Sequence, residues 1–299
     1  HIKTPFSTAF AYGSGVFKQS AAIGTNKMID YLVVVKEEDK LTEWHKDNWR
    51  FNPRDYPLIG KLALYKTRIF DEAVYYVPNV TLSDDKRIKY GVIGWETLIR
   101  DLFTWDTMFL AGRLQKPTIR YDLDHESNSL VLTEAMEFNF NSALFTSVLL
   151  NPCDDFIQIL KGIVSLSYTN DPRLTLAESP HKIDNIVMGQ LNELEALYLE
   201  RYENLKIKYS GFKDPSVRHQ IINNLPLTFK SELLLDSPSL WHLALTDGHE
   251  NRRLLRAALG RIVRRSAWKQ MILGAISTPF DKSTAYVFDK VKKRFSNKA

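Results

Sequence analysis

The sequence predicts an α+β protein: a small mixed sheet flanked by helices comes first, a mostly helical region follows, and an amphipathic helix ends the chain. In the first third, short runs of β-branched and aromatic residues alternate with turn residues, which is typical of strands. From Leu130 onward, apolar residues recur at helical spacing. After residue 285, aromatic and basic residues interleave, which predicts a helix with one apolar and one basic face.

The composition indicates a folded globular protein whose charge is compatible with an anionic partner. Its 299 residues suffice for one large domain or two ordinary ones. Hydrophobic residues make up 44% and aromatic residues 12% of the chain, which argues against an intrinsically disordered protein. The formal net charge of +5 suits a nucleotide, a nucleic acid or an acidic lipid, without choosing among them.

The cysteine count and the hydropathy of the chain limit which kinds of protein it can be. Cys153 is the only cysteine, so we expect no internal disulfide, no cysteine-based metal cluster and a reducing compartment. No apolar run approaches the roughly 20 residues of a membrane-spanning helix. We also expect no signal or transit peptide at the start of this sequence.

The first two predicted strands enclose a candidate phosphate-binding turn. Residues 7–17 predict a strand followed by Gly13-Ser14-Gly15, and residues 29–35 predict an apolar strand with Asp30 near its start. Glycines let the backbone approach phosphate, and the turn N–H groups and the serine hydroxyl can donate to its oxygens. A carboxylate nearby can hold Mg²⁺ beside a triphosphate. This layout is typical of nucleotidyltransferases, although Gly-Ser-Gly also occurs in ordinary turns.

The usual second carboxylate of such a site is missing from the second strand. Side chains two residues apart share one face of a strand, so nucleotidyltransferases commonly place a second metal ligand two residues after the first. Leu32 occupies that position here. A second ligand must therefore come from elsewhere in the chain.

Two further residues of the first third have open roles. His45, in a helix predicted over residues 44–49, either contacts a nucleotide or packs between two tryptophans at the start of the helix. Lys89 at a strand entry either holds a triphosphate or extends from a sheet edge into solvent. The remaining elements predicted here are a helix over residues 58–64 and strands over residues 73–77 and 88–93.

Two cations follow the next predicted helix. Residues 95–110 carry apolar residues close to helical spacing. Arg113 and Lys116 then bracket a glutamine before Pro117. They either clamp phosphate, because arginine can bind oxygens with two donors, or place favourable positive charge at the end of the helix.

The second half is predicted to be helical, with one break that contains a further carboxylate. Asp171 and Arg173 stand in this break, where an aspartate is most simply a turn residue. Residues 118–130 are polar and acidic and mark a boundary before the helices. The helices are predicted over residues 130–150, 154–166 and 183–207, with shorter ones within 214–234.

The C-terminal part is strongly basic. Arginines that include Arg264 follow an apolar helical pattern over residues 252–265, which predicts a solvated basic face or a site for an acidic lipid or a triphosphate. Residues 286–298 predict a helix on an anionic lipid surface, although a basic helix can also contact nucleic acid or pack on the protein. The candidates for lipid contact in it are Phe288, Lys292, Lys293 and Phe295.

Taken in order, these motifs resemble the mitochondrial phosphatidate cytidylyltransferase family, of the translocator assembly and maintenance type. The resemblance covers most of the chain and depends on the order and spacing of many short motifs. They are Tyr12-Gly13-Ser14-Gly15-Val16, Asp30, Trp44-His45 with Asn48, Val74-Tyr75-Tyr76, Ile88-Lys89-Tyr90-Gly91-Val92-Ile93, Ala111-Gly112-Arg113-Leu114-Gln115-Lys116-Pro117, Leu166-Ser167-Tyr168 with Asp171 and Arg173, Asn185-Ile186-Val187, and Ile262-Val263-Arg264 with Ser266.

Two positions depart from the family pattern. Asn170 stands where the family usually has glycine, and Pro172 stands where it has an apolar residue. Because asparagine tolerates left-handed backbone, we expect the turn before Asp171 to be kept.

The resemblance implies a reaction of CTP with phosphatidic acid that gives CDP-diacylglycerol and pyrophosphate with Mg²⁺, and a product that feeds cardiolipin synthesis. It implies a peripheral protein on the matrix side of the mitochondrial inner membrane that contacts an anionic membrane surface and no nucleic acid. The alternatives are a nucleotidyltransferase that acts on RNA or a small alcohol, and a non-enzymatic adaptor that binds acidic membrane.

The resemblance also implies an architecture. A nucleotidyltransferase domain over residues 1–117, with residues 165–200 considered as its completion, precedes a winged-helix-like helical domain over residues 118–270. A basic tail over residues 271–299 contacts the membrane, and CTP binds between the domains.

Site roles follow from the same resemblance. Asp30 is the expected Mg²⁺ ligand, and Asp171 is the candidate for the missing second ligand. Lys89, Arg113 and Lys116 neutralise phosphate charge, with Lys89 assigned to the catalytic group beside the two aspartates. The remaining residues assigned to CTP are Tyr12, Gly13, Ser14, Gly15, His45 and Asn48.

Overall fold

The computed structural model describes residues 2–17, 28–36, 41–53, 74–82, 86–123, 129–153, 155–173, 180–208, 214–245 and 248–277. The predicted helix over residues 58–64 and the candidate lipid contacts Phe288, Lys292, Lys293 and Phe295 lie outside these ranges.

A five-stranded mixed sheet forms one part of the molecule. Its strands are β1 (Thr8–Tyr12), β2 (Ile29–Val35), β3 (Tyr75–Thr81), β4 (Arg87–Gly94) and β5 (Thr118–Asp122). Their order across the sheet is β3-β4-β2-β1-β5, in which β2 and β4 are parallel and the other neighbours antiparallel. The predicted mixed sheet with surrounding helices is confirmed.

Eleven helices complete the described part of the chain, and no described helix is long and apolar enough to cross a membrane. They are α1 (Leu41–Phe51), α2 (Trp95–Thr104), α3 (Ala111–Leu114), α4 (Ser129–Leu150), α5 (Phe156–Leu166), α6 (Lys182–Gly189), α7 (Leu191–Lys208), α8 (Pro215–Asn223), α9 (Leu227–Leu233), α10 (Leu240–Leu245) and α11 (Gly248–Ser277).

The central strands are buried on both faces, as their nearly continuous apolar sequences predict. On one face, Leu32 and Val34 of β2 join a large core that continues through α4 to Leu259 of α11. On the other face, Val33 and Tyr90 pack in a smaller core with α1. Alternation along the strands therefore decides which polar side chains face the helical part of the protein.

The first part of the polar segment that was predicted as a boundary over residues 118–130 forms the edge strand β5, which pairs with β1 along its whole length. Ile119 and Tyr121 are exposed there, so the strand has little of the burial pattern that marks central strands. The division of the chain into domains stays a prediction.

Two predicted helices are shorter than expected. The helix predicted over residues 95–110 ends at Thr104, because Trp105 is left-handed and its N–H bonds to Asp101. The one predicted over residues 183–207 is interrupted at Gln190, whose non-helical backbone separates α6 from α7.

A buried polar network ties the segment around α3 to the helical part. Asn139 of α4 accepts hydrogen bonds from the Trp105 indole at 2.9 Å and the Gln115 amide at 3.0 Å, and it donates to the Ala111 carbonyl at 3.0 Å. The Tyr198 hydroxyl of α7 donates to the Gln115 carbonyl at 2.8 Å. Because unpaired polar groups are costly in a core, these bonds fix the position of the residues on either side of Gln115.

Candidate active site

A cavity of about 280 Å³ lies between the sheet and the helices. Residues from both parts line it, and they include eight of the site residues predicted from the sequence. These eight are Tyr12, Gly13, Ser14, Asp30, Lys89, Arg113, Lys116 and Asp171.

Strand register brings three of them into one row. Tyr12 of β1 is the partner of Asp30 in β2, and Asp30 is in turn the partner of Lys89 in β4. The Lys89 ammonium lies 3.8 Å from Asp30 Oδ1 and 4.3 Å from the centre of the Tyr76 ring. The Tyr76 and Tyr12 hydroxyls are hydrogen-bonded at 3.1 Å. The row therefore presents a carboxylate and an ammonium side by side at the cavity.

The turn after β1 requires glycine at two positions. Gly13 has a φ of 81°, and a Cβ there would lie 3.1 Å from Asp30 Oδ2. A Cβ on Gly15 would lie 2.3 Å from the Met28 carbonyl oxygen, so this residue permits a close backbone approach although it does not line the cavity. The turn thus places its backbone directly against the Asp30 carboxylate.

Gly13→Ala is expected to reduce kcat/KM for a nucleotide substrate by about tenfold or more, because a left-handed alanine is strained and its Cβ crowds Asp30. Steady-state kinetics would measure the loss. Gly274→Ala is the control, since a Cβ there meets nothing within 4 Å and alanine favours a helix. Equal kinetics for both variants would contradict this role of Gly13.

Arg113 is held against the aromatic wall of the cavity. Its guanidinium stacks 3.6 Å from the centre of the Phe109 ring and donates to the Phe109 carbonyl at 2.5 Å. Burial opposes its charge, but the neighbouring Tyr76 and Tyr12 hydroxyls outweigh burial and raise the pKa of Arg113 above its ordinary value. Arg113 is therefore a fixed positive charge next to the Asp30–Lys89 row.

The buried carboxylate of Asp101 holds the loop that carries this wall. Its Oδ1 accepts from the Thr107 backbone N–H at 2.8 Å, the Thr107 hydroxyl at 2.9 Å and the Met108 N–H at 3.0 Å. Its Oδ2 accepts from the N–H groups of Leu110 at 2.8 Å and Ala111 at 3.0 Å. One side chain thus accepts the hydrogen bonds of the loop from Thr107 to the start of α3. No local sequence pattern indicated this role of Asp101.

Lys116 is partly buried beside other cations. Its ammonium donates to the Gly112 carbonyl and to the Ser167 hydroxyl, the latter at 3.0 Å. Burial, Arg113 and Lys182 together lower the pKa of Lys116 to about 7. The cavity therefore contains a lysine that gains its charge most readily when an anion is present.

Binding of a nucleoside triphosphate is expected to add a proton to Lys116. About one pH unit above its pKa the free amine is mostly neutral, and a bound polyphosphate raises that pKa. Calorimetry in buffers of different ionisation enthalpy would reveal the proton uptake, which should vanish about one unit below the pKa. Lys116→Arg should abolish it, since arginine is always charged. Uptake that persists in this variant would contradict the assignment.

Asp171 lies on the helical side of the cavity, in the turn that follows α5. Asn170 before it has a φ of 57°, so the expected left-handed turn without glycine is confirmed. Asp171 is 5% exposed, and both of its oxygens accept from the Arg173 side chain, at distances from 2.6 to 3.1 Å. A Cβ on Gly260 of α11 would come within 2.2 Å of the Asn170 amide, so this turn packs directly on α11.

His45 and Asn48 lie on the opposite face of the sheet and do not line the cavity. His45 is 1% exposed and packs against Tyr75 at 4.8 Å between ring centres, and burial lowers its pKa to about 3. The Asn48 amide donates to the Tyr90 hydroxyl at 2.9 Å. Of the two interpretations of His45, the structure agrees with the packing one.

Several cavity residues carried no signal of their own in the sequence. Thr107 and Phe109 line the cavity because Asp101 folds their loop. Lys182 and Gln190 also line it, from the first residue of α6 and from the residue that follows its end. Arg264 is exposed on α11 outside the cavity. Among the described residues, no group of three or more histidine, cysteine, aspartate or glutamate side chains could hold a metal ion.

Comparison with known proteins shows the family of this chain. The family described as phosphatidate cytidylyltransferase, mitochondrial, matches residues 1–293. Relatives with that name come from Caenorhabditis elegans, 30% identical over 97% of this chain and 94% of the relative, and from Schizosaccharomyces pombe, 31% identical over 100% and 82%. A third, from Rattus norvegicus, is 31% identical over 98% of this chain and 92% of its own length. This chain belongs to the mitochondrial phosphatidate cytidylyltransferase family.

Proposed function

We propose that this protein transfers CMP from CTP to phosphatidic acid, which gives CDP-diacylglycerol and pyrophosphate for cardiolipin synthesis. Its membership in the family supports the reaction. The observation that carries the proposal is the meeting of the Asp30–Lys89 pair with Arg113 and Lys116 in one cavity. A partly exposed carboxylate beside several cations is the charge pattern that a metal-bound triphosphate requires.

The triphosphate binds at the end of the cavity formed by the sheet. Gly13 and Ser14 hold the β- and γ-phosphates through the turn N–H groups and the serine hydroxyl. Lys89, Arg113 and Lys116 neutralise the negative charge that grows on the leaving pyrophosphate. Fixed cations are effective here because their positions are set before substrate arrives, by β4 for Lys89 and by the Phe109 contacts for Arg113.

Asp30 fits a Mg²⁺ ligand. Its carboxylate faces the cavity, its side chain keeps 27% of its accessible surface, and its contact with Lys89 at 3.8 Å is loose enough to be replaced. Mg²⁺ takes one or two carboxylates together with water and substrate phosphates, so Asp30 suffices as the main protein ligand. When bound, the ion would supply positive charge that neutralises the triphosphate. Asp171 remains the candidate for a second ligand, and its bond to Arg173 has to open for that role.

The acceptor needs orientation rather than a general base. The phosphate of phosphatidic acid is ionised near neutral pH, so an oxygen of it can attack the α-phosphorus of CTP directly while pyrophosphate leaves. Catalysis then depends on alignment and charge stabilisation. This agrees with a cavity whose described lining includes arginines and lysines but no histidine.

We extend the proposal to fold and location. The sheet half is a nucleotidyltransferase fold, and the helices that follow include a winged-helix-like unit. The protein acts as a peripheral protein on the matrix side of the mitochondrial inner membrane, where the basic tail over residues 271–299 contacts the anionic surface. The family name supports the mitochondrial location.

The test is turnover with defined lipids. Full-length protein with CTP, Mg²⁺ and phosphatidic acid in detergent micelles should release pyrophosphate and form CDP-diacylglycerol in equal amounts. Phosphatidylcholine in place of phosphatidic acid is the control and should give neither product. Absence of turnover with phosphatidic acid, or turnover that requires RNA and ignores lipid, would overturn the proposal.

A further inference from the structure

An exposed stripe on α11 combines positive charge with large apolar side chains. Arg264, Trp268 and Ile272 are spaced four residues apart, so they lie along one side of the helix. Trp268 is 52% exposed and Ile272 is 59% exposed. We propose that this stripe docks on an anionic bilayer and thereby brings the mouth of the cavity to its lipid substrate. The inference deepens the proposed function and rests on it.

The same turns of α11 also form a wall of the cavity. Val263, Ser266 and Ala267 line it, and two of them directly precede stripe residues in the chain. Successive helix residues are about 100° apart, so the stripe and the cavity wall are neighbouring faces of one helix segment. A surface that contacts Trp268 is therefore within one helix diameter of the cavity.

The chemistry of the acceptor explains why such a surface is needed. The two acyl chains of phosphatidic acid stay in the bilayer, while its phosphate has to reach the cations inside the cavity. A cavity wall that lies at the lipid headgroups lets the acyl chains stay in the bilayer while the phosphate enters the cavity. Tryptophan is suited to the depth of the lipid headgroups, because its ring is amphipathic and prefers the boundary between headgroups and acyl chains.

Charge complementarity identifies the bilayer as anionic. After Glu250, the remainder of α11 contains no acidic residue. Arg265 is also largely exposed beside the stripe, although it pairs with Glu232 of α9 at 2.5 Å. Each cation near an anionic surface strengthens binding, so the helix favours that surface over a neutral one. The cationic side chains of α11 are Arg252, Arg253, Arg256, Arg261, Arg264, Arg265 and Lys269.

Contacts on the other sides of α11 keep the stripe in place. Arg261 donates to Glu232 and to Asp236, each at 2.7 Å, which joins the helix to the α9 segment. Leu273 is buried in the core on the far face of the sheet. The stripe is thus presented by a helix that is fixed on both sides, and docking requires little ordering of the protein.

The first measurement is vesicle binding by the full chain. Trp268→Ser combined with Ile272→Ser should weaken flotation on phosphatidylcholine vesicles that contain phosphatidic acid by about tenfold, in line with the apolar surface removed. Trp241→Ser is the matched control, because Trp241 is 45% exposed on α10, away from the cavity. Both proteins should keep the wild-type Tm. Binding of the double variant at the wild-type level would overturn the proposal.

A second measurement separates the bilayer from other occupants of the stripe. Lipids brominated near the headgroup should quench the part of the tryptophan emission that Trp268→Phe removes. Absence of that quenching, even with weakened flotation, would mean that residues 278–299 or a second copy covers the stripe, and would overturn the proposal.

Kinetics keep this inference distinct from the proposed function. With a short-chain, water-soluble phosphatidic acid, the double variant should turn over at the wild-type rate and lose activity only on vesicles. An equal loss on both substrates would count against docking. No activity of the wild-type protein on either substrate would instead count against the proposed reaction.

Discussion

Asp30→Asn is expected to reduce CMP transfer about a thousandfold while the protein keeps its fold. The carboxylate is the only acidic group in the row of strand residues at the cavity, so the amide removes the charge that balances Lys89 and would hold Mg²⁺. Asparagine has the same shape and the side chain is partly exposed, so Tm should change by only a few degrees. Release of pyrophosphate and a thermal melt measure the two effects.

Asp122→Asn is the matched control for this substitution. Asp122 also lies on a strand of the same sheet and pairs with a cation, Arg120, but it is outside the cavity. Its variant should retain wild-type turnover. If Asp30→Asn keeps more than about a tenth of the activity, Asp30 is not the metal ligand that we propose.

Asp101→Asn is expected to lower the stability by about 3 kcal/mol, which corresponds to a decrease in Tm of roughly 6–12 °C. Both carboxylate oxygens accept hydrogen bonds from the loop after α2. In either orientation the new amide nitrogen faces N–H donors, so at least two buried donors lose their acceptor. The KM for CTP should also rise, because the same loop carries Phe109, against which Arg113 stacks.

Asp106→Asn provides the comparison within the same loop. Asp106 is partly exposed and pairs with Arg100 at 3.2 Å across the surface, where an ion pair contributes little. The Tm of the Asp106→Asn variant should stay within about 2 °C of the wild-type Tm. Similar decreases in Tm for the two variants would contradict the role of Asp101 as the residue that organises the loop.

Much of the candidate site could be predicted because each signal was local. A glycine turn, an aspartate near the start of an apolar strand and two cations after a helix each depend on residues close in sequence. The left-handed turn at Asn170 was predictable for the same reason. The cavity gathers these local units once the strands are in register.

What could not be predicted depended on long-range geometry. The motif that contains His45 does not reveal which face of the sheet α1 covers, and α1 covers the face away from the cavity. Strand β5 was missed because an exposed edge strand needs no alternating apolar pattern. The role of Asp101 was missed because a buried carboxylate is recognised only when its donors have been placed around it.

The large core described above also limits how the cavity can move. It runs without interruption from Phe10 in the sheet through Leu144 to Leu259 in α11, so the two walls of the cavity stand on one packed interior. A hinge that opened the cavity would have to pull this interior apart and expose apolar surface to water. We therefore expect substrates to enter a crevice that exists before they arrive, with side chains rather than whole domains adjusting to them.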